Sequence, residues 1–327
     1  MIKITREQSD NFRKFISCHD KFIVTGHKEP DGDCLSSCLG IAYILDSMKK
    51  PYMLINAGPF KRVETKKFAP LFSPEVPFMS REDRNSTGLI IVDCSEMHRL
   101  GDISEDLKDM DTFIVDHHKT SDLTGDKVII DPESPAAAYL VQQLIEVTVG
   151  NIDTKMANTL LFGMSTDTGY FRYLKTDSAD FFRATARLVD SGANPREIYQ
   201  EMTNGKPWNT RKLLGIMLEH SERHCNGKLV LTYETQEDTK KFGKEGRDTD
   251  ALYSLMLEVE GVEAVAFVRQ DTEATCTMGL RSKDKCDVSQ IAAKFGGGGH
   301  KNASGASLDG KLAVIMPQLI KEFSKVL

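Results

Sequence analysis

Three short apolar runs in the first half of the chain constrain the fold most, because each stops abruptly at the same kind of side chain. They read FIVTGH (Phe22 to His27), LIIVDCS (Leu89 to Ser95) and FIVDHH (Phe113 to His118). Continuous apolar runs of this length, bounded by polar residues, are the mark of buried strands. Between and after them lie stretches with helical spacing of apolar residues: CLSSCLGIAYILDSMKK, AAAYLVQQLIEVTV and TKMANTLLFGMSTDTG. Strands alternating with helices predict an α/β fold with a mostly parallel sheet. Ligands of such sheets bind beyond the carboxyl ends of the strands. The Asp and His residues that close the three runs are therefore expected to converge on one edge.

After about Ser191 the texture changes. SGANPREIYQEMTNGKPWNTRKLLGIMLEHSERHCNGK carries Pro195, Pro207, Gly205 and Gly227 around helical stretches. From Lys228 a second, smaller α/β unit is expected, with strands in KLVLTYET, VEAVAFVRQ and ATCTMGLRS. A helix at Asp287 to Phe295 follows, then GGGGH, then an amphipathic helix near Leu312 to Val326. The expected organisation is a first α/β domain over 1–190, a helical connector over 191–227 and a second α/β domain over 228–327.

Composition narrows the function classes. Seven cysteines, odd in number and without CxxC pairing, read as reduced thiols. No apolar run reaches the roughly 18–20 residues that span a bilayer, and MIKITREQSDNFRKF has no apolar signal core. The expectation is a soluble, cytoplasmic protein without a membrane partner. Its formal net charge is −6, whereas proteins that track long nucleic acid carry a basic face. Long duplex nucleic acid is thus an unexpected partner, and a homodimer is compatible with everything in the sequence.

Four segments carry candidate chemistry. In Gly26–His27–Lys28–Glu29–Pro30–Asp31–Gly32–Asp33, one imidazole and two carboxylates suit borderline divalent ions such as Mn²⁺. The structural alternative is a polar turn with Asp33 capping the next helix. Asp93 ends the second run, and Asp116–His117–His118 ends the third, where Asp116 can fix a histidine tautomer. Ser165–Thr166–Asp167–Thr168–Gly169 closes a helical stretch. Together the four supply five aspartates and three histidines. Further on, Gly296 to Gly299 precede His300 and expose backbone N–H groups able to cradle an anion. The run is no Walker A loop, since no Lys-Ser/Thr follows it. Arg281, at the tip of CTMGLRS, is the nearest guanidinium fork for a phosphate. His220, His224 and Cys225 have metal-like spacing, yet a solvated helix face is the expectation there, and Cys34 and Cys38 are expected to be core thiols.

The motifs GHKEPDGD, VDCS, DHH and TDTG, in that order and followed by GGGGHKNASG, resemble the DHH phosphoesterase family. The likeness covers essentially the whole chain and is to the NrnA-like subgroup, which has a DHH-associated C-terminal domain. It implies two Mn²⁺ ions, with Mg²⁺ or Co²⁺ as substitutes. One ion would be held by His27, Asp31 and Asp93, the other by Asp33, Asp93, His117 and Asp167, with Asp93 bridging. His118 would face the scissile phosphate and Asp116 would orient a histidine. Arg281, Gly297, Gly298, Gly299, His300 and Ser304 would grip the substrate, Ser304 standing where many relatives have Ala. The implied reaction is in-line attack of a bridging hydroxide on phosphorus, cleaving dinucleotides and other very short RNA to mononucleotides. Alternatives are a 3′-phosphoadenosine 5′-phosphate phosphatase, a phosphodiesterase of cyclic di-AMP or its linear product, and a nucleotide-binding protein without catalysis.

Overall fold

The computed structural model describes residues 4–118, 123–243, 247–283 and 285–327. The chain divides into two compact units, Met1–Gly205 and Lys206–Leu327. In the first unit the order is α1 (Arg6–Cys18), β1 (Lys21–Thr25), α2 (Gly32–Ser47), β2 (Tyr52–Ile55), α3 (Arg81–Ser86), β3 (Thr87–Val92), α4 (Ser104–Leu107), β4 (Thr112–Asp116) and β5 (Val128–Ile130). Four helices complete it: α5 (Ala137–Thr148), α6 (Thr154–Asp167), α7 (Ala179–Asp190) and α8 (Pro195–Thr203). The strands form one sheet in the order β2-β1-β3-β4-β5, and every pairing is parallel.

Alternation along the strands splits their side chains between two layers. Phe22, Val24, Ile90, Val92, Phe113 and Val115 join the core shared with α1, α2, α5 and α6. Ile23, Leu89 and Ile91 point the other way, onto Leu100, Ile103 and Leu107. Covered on both faces, β3 is buried at every residue, which is why its sequence is apolar without interruption. The three runs singled out above are β1, β3 and β4. The two remaining strands, β2 and β5, flank them at the sheet's edges.

Helix α2 is buried over most of its length and lies against α5 and α6 through small residues. A Cβ at Gly32 would sit 2.5 Å from Thr166 Oγ1 and 2.8 Å from a Phe162 ring carbon, and one at Gly163 would sit 2.6 Å from Ser36 Cβ. These contacts leave no room for side chains, so they bring the start of α2 against the end of α6. That closeness sets the position of Asp167 beside Asp31 and Asp33.

The second unit contains α9 (Trp208–Glu219), β6 (Glu222–His224), β7 (Leu229–Glu234), α10 (Gln236–Phe242), α11 (Thr249–Leu257), β8 (Ala264–Gln270), β9 (Thr275–Ser282), α12 (Val288–Lys294), β10 (Gly298–His300), β11 (Ala303–Asp309) and α13 (Leu312–Phe323). Its sheet runs β10-β11-β9-β8-β7-β6. One face packs on α12 and α13, the other on α9 and α11.

Two features add to what the sequence alone conveys. The segment 191–227 is shared between the units: Ile198 of α8 joins the first core, while Leu213, Leu214 and Met217 of α9 join the second. The glycine run ends in an edge strand, with Gly298 opposite Gly305, Gly299 opposite Ser304 and His300 opposite Ala303. Contact with β11 decides this, because a Cβ at Gly297 would meet the Gly305 carbonyl oxygen at 2.2 Å.

Candidate metal centre

Because β1, β3 and β4 are neighbours in the sheet, their carboxyl ends lie side by side, about one strand spacing (~4.8 Å) apart. His27 follows β1, Asp93 follows β3, and Asp116 ends β4 with His117 and His118 just beyond. Asp93 is on the middle strand and so stands between the other two. Its backbone is left-handed, φ 56°, and its N–H donates to the Val115 carbonyl at 2.9 Å. Asp tolerates that conformation better than most residues, and the chain turns sharply out of the sheet there.

The two carboxylate oxygens of Asp93 face different partners. Oδ2 lies 3.3 Å from His27 Nε2, and Oδ1 lies 3.3 Å from His117 Nε2. Around His27 stands Asp31 at 3.8 Å. Around His117 stand Asp167 at 3.5 Å and Asp33 at 3.8 Å. Both ring orientations are fixed by backbone carbonyls, His27 Nδ1 meeting Lys28 O at 2.8 Å and His117 Nδ1 meeting Ser134 O at 3.1 Å. With Nδ1–H donating, each ring presents an unprotonated Nε2 to a cation. His118 is held differently: its Nδ1 lies 2.7 Å from Asp116 Oδ1, so Nε2 is the nitrogen left to meet a ligand, and the side chain is 33% exposed.

The acids do structural work as well. Asp31 caps α2 by accepting from Asp33 N and Cys34 N, each at 3.1 Å. Asp33 caps a different helix from the one expected: its oxygens accept from Ala137 N at 2.7 Å and Ala138 N at 2.8 Å, at the start of α5. Asp116 Oδ1 accepts from His117 N at 2.7 Å and His118 N at 3.2 Å.

Without cations this cluster is electrostatically frustrated. Burial, then the nearby charges of Asp93 and Asp167, push Asp33 well above the carboxylate range. Burial raises Asp167 to about 6 against the pull of His117. Burial alone would depress the histidines, yet Cys34 together with Asp31 and Asp93 pushes His27 up to about 12, and Asp93, Asp33 and Asp167 push His117 up to about 10. Protons thus collect where positive charge is missing. Asp93 Oδ1 is also buried without a hydrogen-bond partner among the described residues. An orphaned carboxylate oxygen within a His/Asp donor set fits a divalent cation. Saturation at 100 times Kd is worth about 2.7 kcal/mol, and a domain of this size shifts by roughly 2–4 °C per kcal/mol. Adding Mn²⁺ to chelator-treated protein is therefore expected to raise its melting temperature by about 5–10 °C in calorimetry; an unchanged melt would remove the metal assignment.

In the second unit, Arg281 on β9 lies opposite Ala303 on β11, which lies opposite His300 on β10. Directly paired residues share a face, so Arg281 and His300 project from the same side. The guanidinium sits over the Tyr253 ring, 4.6 Å from its centroid, and donates to the Leu280 carbonyl at 3.0 Å. Ser304 is not brought to this group. It is opposite Leu280 in the register, on the face of the second core, and its buried hydroxyl donates to the His300 carbonyl at 2.8 Å. Of the remaining candidates, Gly298 and Gly299 lie along the exposed edge strand and Gly297 just before it.

His220, His224 and Cys225 do not share a helix face, because α9 ends at Glu219. His220 stacks on Tyr233 at 4.3 Å, and His224 lies in β6. Two contributors were not singled out in the sequence. Buried Asn56, just past β2, donates to the His27 carbonyl at 3.0 Å and pins the first motif. Ser134 acts through its carbonyl, which no side-chain pattern announces.

Residues 21–164 match the DHH family, N-terminal domain, and residues 226–327 match the DHHA1 domain. The chain is 29% identical over 292 residues to the bifunctional oligoribonuclease and PAP phosphatase NrnA of Thermus thermophilus, covering 88% of this chain and 84% of that one. It is 27% identical to the cyclic-di-AMP phosphodiesterase PdeA of Listeria monocytogenes, over 95% of this chain and 48% of that protein. The fold matches the crystal structure of an exopolyphosphatase-related protein from Bacteroides fragilis with a TM-score of 0.86 at 24% identity, covering 99% and 98% of the two chains. With a DHH domain, a DHHA1 domain after it and the acid–histidine cluster at the sheet's edge, the chain belongs to the DHH family of phosphoesterases, hydrolases of phosphoester bonds.

Proposed function

We propose that this chain hydrolyses very short oligoribonucleotides, dinucleotides above all, to mononucleotides with the help of two divalent ions, Mn²⁺ in the first instance and Mg²⁺ or Co²⁺ in its place. The observation that carries this reading is Asp93, whose two oxygens address separate histidine–carboxylate sets. His27, Asp31 and Asp93 would hold one ion, and Asp33, Asp93, His117 and Asp167 the other. Such ions acidify water and neutralise charge on a phosphoryl group. The chain's own proton chemistry then falls to His118, whose Nδ1 is engaged by Asp116. Asp116 steadies the ring when it is protonated, and Nε2–H is the group able to donate to the oxygen that leaves phosphorus.

Substrate length follows from charge. Two divalent ions would bring the formal charge from −6 to −2, with the gain concentrated at one site. A short anion is drawn there, while a long polymer finds little basic surface elsewhere. Arg281 and His300 supply an anion-binding pair within the second unit. A charged hydrogen bond is worth roughly 1.5–3 kcal/mol, so Arg281→Ala is expected to raise KM about tenfold to a hundredfold with kcat little changed. A fall in kcat at constant KM would assign Arg281 elsewhere.

The similarity to an enzyme named as oligoribonuclease and PAP phosphatase supports this substrate class and also keeps the phosphatase reading in play. The deciding assay is chromatography of metal-loaded protein with 5′-phosphorylated diadenylate. Release of two mononucleotides, lost in His118→Ala, supports the phosphodiesterase. Intact dinucleotide, with phosphate released from 3′-phosphoadenosine 5′-phosphate, would transfer the proposal to a nucleotide phosphatase; cleavage of cyclic di-AMP alone would transfer it to a cyclic dinucleotide phosphodiesterase.

A further inference from the structure

We propose that the buried thiol of Cys34 is a sulfur ligand for the ion held by His27, Asp31 and Asp93, so that the two ion positions differ in metal preference. The inference rests on reading the centre as a site for two ions.

Cys34 follows Asp33 at the start of α2 and is fully buried. Its Sγ, a ring nitrogen of His27 and a carboxylate oxygen of Asp93 all lie within 4.8 Å of one another. Three donors that close can share a single cation. The sulfur's other partners are weak ones, the His27 carbonyl at 3.9 Å and the thiol of Cys38 one helical turn on, since a thiol is a poor hydrogen-bonding group. Its place is reserved by Gly26, where a Cβ would come within 2.3 Å of Sγ. Gly26, just past the end of β1, thus leaves the volume that the sulfur fills.

The other donor set is unlike this one. Asp33, His117 and Asp167 form a second group within the same distance limit, and it holds only nitrogen and oxygen. Carboxylate and imidazole suit Mn²⁺ and Mg²⁺, whereas thiolate favours softer ions such as Zn²⁺ and Cd²⁺, with Co²⁺ between. On this reading the Asp33 side accepts hard and borderline ions alike, and the Cys34 side discriminates in favour of a thiophilic one. Coordination forms a sulfur–metal bond, and the S–H proton passes to solvent; no electron is transferred.

The test is optical and needs no turnover. Chelator-treated protein is titrated with Co²⁺ while bound metal is counted by elemental analysis. The expected result is a near-ultraviolet sulfur-to-cobalt charge-transfer band that grows with one of two bound equivalents and is absent from Cys34→Ser. In the same variant, affinity for Cd²⁺ at that position is expected to fall at least about tenfold, with Mg²⁺ affinity unchanged. Two bound Co²⁺ without the band in the unmodified protein would overturn the Cys34 assignment and leave the two-ion reading standing. A band that survives in Cys34→Ser would also overturn it, since another sulfur would be the ligand. Failure to bind any Co²⁺ would overturn both.

Discussion

Replacing Asp93 by Asn is expected to lower kcat/KM about ten-thousandfold or more, the largest loss of any single substitution in the centre. Among the described residues, Asp93 is the only acid whose two oxygens address both histidines, His27 through Oδ2 and His117 through Oδ1. A bound ion contributes several kcal/mol to stabilising charge in a phosphoryl transition state. Losing about 5–6 kcal/mol at 1.36 kcal/mol per decade gives ~10⁴. Asn keeps the size of the side chain and also tolerates the left-handed backbone at this position. The metal-free variant is accordingly expected to melt within a few degrees of the parent, because one carboxylate fewer relieves repulsion in a crowded acid cluster. Steady-state kinetics beside calorimetry of the chelated proteins checks both halves. Near-normal turnover would sink the bridging assignment, and a collapsed melt would make the kinetic loss uninterpretable as chemistry.

His118→Ala is expected to cost about 10²–10⁴ in kcat, the usual worth of one positioned proton-transfer group, while leaving metal content untouched. The separation follows from geometry, since the His118 nitrogen nearest Asp93 is the one engaged by Asp116. Elemental analysis of the variant should therefore still count two ions. If one were lost, His118 would be a ligand rather than a group acting on substrate. Asp116→Asn should fall between parent and His118→Ala, because Asp116 also accepts the backbone N–H groups of His117 and His118 and so shapes the whole turn.

The centre was legible because its residues sit where continuous apolar runs break off. A strand buried on both faces must be apolar throughout, so Asp93 after TGLIIV and His117 after TFIVD stand out against what precedes them. The flanking strands were not legible for the same reason in reverse. β5 contributes only Val128–Ile130, and β2 is a four-residue edge strand whose first residues are partly exposed; neither is long enough to establish a period. The strand Gly298–His300 has no hydrophobic pattern at all and exists because β11 lies beside it. Ser304 follows Ala303 in β11 and so faces away from Arg281, an alternation that is visible only once the strand and its register are known. The α2–α6 approach that seats Asp167 depends on absent side chains at Gly32 and Gly163, and sequence periodicity does not report on absence.

The cap that Asp33 places on α5 has an evolutionary consequence. The helix's own N-cap position is Ala136, which offers no side-chain oxygen, so the orphan N–H groups of Ala137 and Ala138 rely on a residue more than 100 positions earlier. A lineage that abandoned the reaction could shed His27 or Asp167 and relieve crowding as it did so. It could not shed Asp33 without also uncapping a buried helix. Among descendants that have lost catalysis, the acid at this position is expected to be the last of the set to disappear, and its survival alone is then no sign that the chemistry survives.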